Sequence, residues 1–254
     1  MPLVTPLILL AVIVGLIGVH LFVPNTRGWV WKVIGVIGLG MFAAQPYFAL
    51  VWAPPEREMG DVYRIIYMHV PQVWMAMLAL TLNAICSLAY LMKKSWVTDS
   101  LAEASAEVGV YFGVVGVTLG AIWAKPTWGV YWDWDPRLTT AAILIVVYTG
   151  YLALRGFVED PEKRATWSAV MGIIAFADVP ILWYSVQWWH SVHQTQSSPK
   201  TVDGQMVAVL RGSTVMFLAL LIVFIWHRYL IAKAAREKEV ALPEALPPAR
   251  AEPA

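Results

Sequence analysis

Charged residues are scarce in this chain, and their scarcity already excludes most classes of protein. They make up 14% of 254 residues, whereas a typical soluble domain has about 25%. Hydrophobic residues make up 59% of the chain, and the mean hydropathy is +0.62. Because so little polar surface cannot cover a water-facing domain of this size, the composition predicts a membrane protein.

Cysteine is almost absent, and no nucleotide-binding motif is present. Cys86 is the single cysteine, which excludes a disulfide within the chain and any CxxC motif. No GxxxxGK[ST] loop is present, so any use of ATP would belong to a partner. The net charge of +1 is far from the strongly positive charge that is typical of nucleic-acid-binding proteins. We therefore expect neither an ATPase nor a nucleic-acid-binding protein.

Long apolar runs fill most of the chain instead. Seven of them approach the roughly 20 residues that cross a bilayer, and they cover residues 3–23, 33–52, 73–92, 108–124, 138–154, 167–188 and 212–228. The first run lacks the basic start of a signal peptide, so we expect a retained helix. The predicted fold class is an all-α integral membrane protein, a polytopic helix bundle of six to seven transmembrane helices. We divide it into an extra N-terminal transmembrane segment (1–28), a membrane domain (29–231) and a cytoplasmic tail (232–254).

The loops between these runs predict the orientation in the membrane. Twelve of the 18 basic residues map to one side, which is therefore predicted to be cytoplasmic. Three segments then face outward, at residues 53–70, 125–137 and 189–211. Pro71 is expected to begin the helix after the first of them. Residues 99–107 are predicted to form a short acidic loop on the inner side, and the Gly-rich run 109–120 predicts close helix packing.

Tryptophan is the most unusual component. Half of the 14 tryptophans lie at or beside the second and third outward segments. An aromatic belt at the membrane interface is one explanation. However, the close mixture of Trp132 and Trp134 with Asp133, Asp135 and Arg137 favours a flat apolar ligand with ionic edges, such as a porphyrin.

Histidine supports the porphyrin hypothesis. His69, His190 and His193 all fall in or beside outward segments. One imidazole from each of two segments could bind opposite faces of a haem iron, with His190 and His193 as alternatives for the second. Zinc is disfavoured, because no cysteine and few carboxylates accompany these histidines at ligand spacing.

Three motifs carry a family resemblance. They are YRIIYMHVP at residues 63–71, KPTWGVYWDWDPRLT at residues 125–139 and PILWYSVQWWHSVHQ at residues 180–194. In this order they resemble the haem-handling WWD membrane proteins of cytochrome c maturation, and within them the CcmC (haem exporter protein C) branch. The resemblance extends from about residue 60 to about residue 228.

The resemblance implies an outward-facing site for haem b (iron protoporphyrin IX). Its axial ligands would be His69 and His193, and Arg64 and Arg137 would hold the propionates. An outward-facing WWD loop would form the platform over the ring, through residues Trp128, Gly129, Trp132, Trp134, Asp135 and Arg137. The loop departs from the family pattern at Tyr131, where tryptophan is frequent, and at Asp133, which adds a carboxylate.

The resemblance also implies partners and a location. The protein would hold haem on the outer face of the cytoplasmic (inner) membrane and deliver it to a membrane-anchored, CcmE-like haem chaperone. It would do so beside CcmA-like ATPase and CcmB-like permease subunits of an ABC-type complex, with a small CcmD-like helper and with membrane lipid around it. It would not itself be an enzyme. The alternatives are a permease that moves haem across the bilayer and a quinol-linked oxidoreductase, which would need histidine pairs within facing helices.

Overall fold

Helices account for nearly all of the described chain. The computed structural model describes residues 4–23, 27–193 and 203–245. Within these ranges, the only β-type pairing is an isolated bridge between Glu56 and Gly60. The α-helices are α1 (Val4–Phe22), α2 (Arg27–Tyr47), α3 (Ile66–Lys93), α4 (Trp96–Trp128), α5 (Pro136–Phe157), α6 (Pro161–Phe176), α7 (Asp178–Trp188) and α8 (Gly204–Ala245). A π-helical turn, Phe48–Trp52, extends α2, and a 3₁₀ turn, Asp61–Ile65, leads into α3.

Six helical segments of the described chain are long and apolar enough to cross a membrane. α1 adds a shorter apolar helix before them. The six are Gly28–Trp52, Asp61–Lys93, Trp96–Trp128, Pro136–Phe157, Pro161–Trp188 and Gly204–Glu239. The predicted all-α polytopic membrane fold is confirmed.

The acidic inner loop predicted for residues 99–107 is wrong, because these residues belong to α4. Asp99 is only 2% exposed, and its carboxylate accepts hydrogen bonds from Arg155 at 2.8 Å and from Arg236 at 2.7 Å. Acidic side chains are favourable near a helix N-terminus, and arginines from α5 and α8 neutralise this one. Hydropathy alone therefore places the start of the helix too late.

The helix start predicted at Pro71 is also wrong. The 3₁₀ turn runs directly into α3 at Ile66, so Pro71 lies inside the helix. Only one N–H is lost, close to the start of the helix, where proline is better tolerated than in the middle. As a consequence, His69 projects from a helix and its ring contacts α4.

α3 and α4 pack against each other along their lengths. A Cβ atom at Gly109 would lie 2.6 Å from Leu80 Cδ2, and one at Gly116 would lie 2.9 Å from Val73 Cγ2. Only glycine allows the helices to approach this closely. The close packing predicted from residues 109–120 is confirmed.

The two ends of the bundle differ in chemistry. At one end, α4, α5, α6 and α8 are joined by charged side chains that we call the ion-pair cluster. Arg236 also lies 4.5 Å from the ring centroid of Trp96. The other end, which we call the site end, carries the connections from α2 to α3, from α4 to α5 and from α7 to α8. The members of the ion-pair cluster are Asp99, Glu103, Arg155, Arg164, Arg236 and Glu239.

Candidate functional site

A cavity of about 100 Å³ lies at the site end, between α3, α4, α5 and α7. Two imidazoles, four indoles and one guanidinium are among the groups that line it, and apolar side chains from the four helices form its floor. The polar and aromatic lining residues are His69, His193, Trp74, Trp123, Trp128, Trp132 and Arg137. The floor includes Val73, Met77, Val117, Ala141, Leu144 and Leu182.

His69 is oriented by two glycines of α4. Its Nδ1 lies 2.8 Å from the carbonyl oxygen of Gly116. Because a carbonyl can only accept, Nδ1 must carry the proton, and Nε2 keeps its lone pair as a metal ligand requires. A Cβ atom at Gly120 would lie 2.8 Å from His69 Cε1. Gly116 therefore fixes the ring, and Gly120 leaves the space that the ring occupies.

His193 enters the cavity from the segment after α7. Its ring centroid lies 5.9 Å from that of Trp128 and 6.3 Å from that of Trp123. Its backbone N–H donates to Ser191 Oγ at 3.0 Å, and the Ser191 hydroxyl donates to the carboxylate of Asp135. His190, the alternative second ligand, is exposed and is not among the residues that line the cavity.

The Trp-rich loop between α4 and α5 owes its shape to two residues that do not line the cavity. Gly129 ends α4, because it adopts a left-handed φ of 81° and its N–H donates to the Lys125 carbonyl at 3.0 Å. Asp135 begins α5, because its carboxylate accepts from the Leu138 N–H at 2.8 Å. Trp134 is 75% exposed and lies outside the cavity, although its ring centroid is 5.6 Å from that of Trp132.

Three buried hydrogen-bond donors on residues of the cavity wall have no partner within the part of the chain that the structure describes. They are Nη1 of Arg137 and the indole Nε1 atoms of Trp123 and Trp132. A buried donor without a partner is costly and calls for a ligand or water that satisfies it. The set of donors suits a ligand with acceptor or anionic groups.

Arg64 does not line the cavity. Its Nε donates to Asp61 at 2.8 Å, and its Nη1 donates to the carbonyls of Ala53, at 2.9 Å, and Ala49. The guanidinium thus joins the π-helical turn to the 3₁₀ turn. These bonds use Nε and Nη1 of the guanidinium and hold the side chain at the two turns.

The connection from α2 to α3 lies against the end of α4. Glu58, Met59 and Trp128 border the same surface pocket. Backbone N–H groups of Met59 and Glu58 both donate to the Glu56 carboxylate at 2.8 Å, and the bond from Met59 contributes most to a lowered pKa of that carboxyl. All three segments predicted to face outward therefore meet at one end of the bundle.

Sequence reasoning missed several residues that build the site. Trp123, two residues before the second outward segment, lines the cavity but is not among the predicted site residues. Helical spacing could have identified the floor, because Val73 and Met77 follow His69 on one face of α3. No sequence signal indicates Ser191, since its partner Asp135 is 56 residues away.

The lining of the cavity fits a porphyrin better than a bare metal ion. Among the described residues, no group of three or more His, Cys, Asp or Glu side chains is placed to hold a metal. Two histidines are enough for haem, because the porphyrin supplies the other iron ligands. The volume of about 100 Å³ is below the roughly 300–1,000 Å³ of pockets for drug-sized ligands. We infer that a whole porphyrin would need either more space between the walls or a position partly outside the cavity.

Comparison with known proteins gives the family. The sequence profile of the family described as Heme exporter protein C (CcmC) matches residues 5–242. The Heme exporter protein C of Paracoccus denitrificans is 34% identical over 223 residues, which are 82% of this chain and 90% of that protein. The protein of the same name from Bradyrhizobium diazoefficiens is 36% identical over 145 residues, 57% of this chain and 55% of that protein. A ccmC-like mitochondrial protein of cytochrome c biosynthesis from Marchantia polymorpha is 34% identical over 164 residues, 64% of this chain and 69% of that protein. The chain is a member of the CcmC, or haem exporter protein C, family.

Proposed function

We propose that this protein binds haem b at the site end, with His69 and His193 as the axial ligands. The observation that carries this proposal is the placement of these two imidazoles, from segments far apart in sequence, on one aromatic-lined cavity. The names of its relatives, haem exporter protein C, agree with it. We infer a role in the biogenesis of c-type cytochromes.

The chain's own residues divide the work of holding the ring. Two imidazoles fill both axial positions of an iron, which favours holding haem over oxygen chemistry that needs an open position. Trp123, Trp128 and Trp132 offer flat apolar surface. The unpartnered Nη1 of Arg137 is suited to a propionate. Gly129, Asp135 and Trp134 act through the shape of the loop.

We further propose that the bound haem is passed to a membrane-anchored, CcmE-like chaperone outside the inner membrane. The chain has no phosphate loop, so CcmA-like ATPase and CcmB-like permease subunits, with a CcmD-like helper, would supply the energy and complete an ABC-type complex. Twelve of the 18 basic residues fall in the segments predicted from sequence to be cytoplasmic, which favours a periplasmic site. A topology reporter inserted at residues 196–202 should lie outside the cytoplasmic membrane. A reporter fused after Arg236 should lie in the cytoplasm.

The test of haem ligation is an absorption spectrum of the purified protein carrying haem. The wild type should give a low-spin, bis-imidazole spectrum, and both His69→Ala and His193→Ala should lose it. The matched control is His190→Ala, which removes an exposed imidazole three residues from His193 and should change nothing. Unchanged spectra and haem content in both ligand variants would refute the site, whereas an effect of His190→Ala alone would move the second ligand to that residue.

One feature favours a second candidate function, a permease for haem. The span Pro161–Trp188 is broken at Ala177, between α6 and α7, and Oδ2 of the adjacent Asp178 is buried without a hydrogen-bond partner. Broken helices and buried acids mark transport sites in other membrane proteins. Asp178→Asn in reconstituted vesicles distinguishes the two functions: it should abolish haem movement across the bilayer in a permease and leave chaperone loading intact in a haem-holding protein.

A further inference from the structure

A second cavity lies at the site end. It is an apolar crevice of about 200 Å³ between α1, α2, the π-helical turn and α8. None of its lining residues lines the histidine cavity. The lining residues are Pro6, Leu9, Met41, Ala44, Gln45, Phe48, Trp52, Ala208, Val209, Gly212, Ser213 and Met216.

Two polar side chains on the wall of this crevice have no hydrogen-bond partner among the described residues. Ser213 is 2% exposed, and its Oγ is unpartnered. The amide Nε2 of Gln45 is buried and likewise unpartnered. By contrast, the hydroxyl of the neighbouring Thr214 donates to the Leu210 carbonyl at 2.8 Å. Helical serines and threonines commonly satisfy themselves in that way, so the state of Ser213 requires an explanation.

The backbone beside the crevice is also unusual. Pro46 lies in the last turn of α2, and the chain then widens into the π-helical turn that supplies Phe48 and Trp52 to the wall. Arg64 fixes this turn through the carbonyls of Ala49 and Ala53. Single π-helical turns occur frequently at functional sites.

The lining limits what can occupy the crevice. No charged residue lines it, which argues against an ion. A volume of about 200 Å³ would take several waters at about 30 Å³ each, but each water needs two to four polar partners. Gln45 Nε2 is a donor only, and the Ser213 hydroxyl can also donate. The occupant should therefore combine a hydrogen-bond acceptor with a large apolar part.

We propose that the crevice binds one membrane amphiphile, whose carbonyl oxygen accepts hydrogen bonds from Gln45 and Ser213 and whose hydrocarbon tail lies along α1, α2 and α8. Two classes of membrane molecule share this chemistry, the acyl ester of a phospholipid and an isoprenoid quinone. The site is separate from the proposed haem site, since the two cavities share no lining residue.

The experiment is native mass spectrometry of the full-length protein in nanodiscs of phosphatidylethanolamine and phosphatidylglycerol, with and without menaquinone-4. The wild type should retain one adduct per chain, and its mass identifies a phospholipid or a quinone. Gln45→Leu and Ser213→Val should each lower its retention by about fivefold, the value of one net hydrogen bond. Thr214→Val is the matched control and should retain the adduct fully.

A variant that fills the crevice with a larger side chain keeps the test decisive if Gln45→Leu or Ser213→Val folds poorly. A Cβ atom at Gly212 would meet no heavy atom within 4 Å, so Gly212→Leu places its side chain in open space at the crevice. It should fold at least as well as the wild type and lose the adduct. Retention of the adduct in all of these variants, or the absence of any adduct except detergent in the wild type, would overturn the proposal.

Discussion

The ring of His69 occupies space that is open because Gly120 of α4 has no side chain. In Gly120→Ala, the added methyl would lie 2.8 Å from His69 Cε1 and would push the imidazole away from the Gly116 carbonyl. Overpacking of this kind costs about 1–3 kcal/mol, so we expect roughly tenfold weaker haem binding and a partial loss of the low-spin spectrum. Haem titration of the purified variant measures both.

A nearby glycine gives the control for this prediction. A Cβ atom at Gly113, on the same helix and the same cavity, would meet Ile145 Cγ1 at 3.4 Å, an ordinary contact. Gly113→Ala should therefore leave the spectrum and the affinity unchanged. If Gly120→Ala behaves like Gly113→Ala, the ring of His69 is not held where we describe it.

Arg137 and Trp132 should affect different steps. Axial bonds to iron dominate retention, so Arg137→Ala should keep its haem but load the chaperone less well, because the orientation of the ring changes. Trp132→Ala removes apolar surface over the ring and should lower haem content severalfold, for a loss of about 1–2 kcal/mol. Haem per protein and haem attached to the chaperone, measured in both variants, test this. Full haem content and full transfer in Trp132→Ala would reduce the loop to an interfacial belt.

At the scale of secondary-structure elements, the segment that carries His193 is linked to the start of α5. Ser191→Ala removes the hydroxyl that donates to Asp135 and accepts from the His193 N–H, but it leaves the cap of α5 intact. It should weaken haem binding by about fivefold without changing the thermal midpoint of the haem-free protein. Asp135→Ala should lower both the haem affinity and the thermal midpoint of the haem-free protein, since the helix cap alone contributes about 1 kcal/mol. Equal effects of the two variants on the midpoint would contradict this division.

The elements themselves were largely predictable, whereas their ends were not. Apolar runs located six long spans, because a bilayer demands about 20 apolar residues wherever a helix crosses it. The start of α4 was placed too late, since the charge of Asp99 is cancelled by arginines that are far away in sequence. The placement of His69 and His193 on one cavity agrees with the pairing that the resemblance implied, whereas Arg64 faces the π-helical turn. Contacts of that kind depend on packing and leave no local sequence pattern.

At the scale of the whole molecule, the ion-pair cluster holds four helices together. Asp99 is 2% exposed and lies between Arg155 and Arg236. Asp99→Asn would remove the carboxylate that Arg155 and Arg236 share and leave only Glu103 and Glu239 to neutralise them. Removal of one partner of a buried pair costs up to about 3–5 kcal/mol. We expect a large drop in the stability of the purified protein toward denaturing detergent.

An exposed pair is the matched control. Lys233 lies 3.7 Å from Glu237, and their side chains are 50% and 66% exposed. Lys233→Gln should change the stability by at most about 0.5 kcal/mol. A loss for Asp99→Asn no larger than that of Lys233→Gln would mean that the cluster does not hold the helices.

The distribution of these bonds gives the bundle a mechanical asymmetry. One end is clamped by charged side chains from α4, α5, α6 and α8, while the walls of the histidine cavity are joined by few polar contacts. This distribution predicts that the site end yields more easily than the end with the ion-pair cluster. A porphyrin would then be taken up and released by movements at the site end while the ion-pair cluster stays intact.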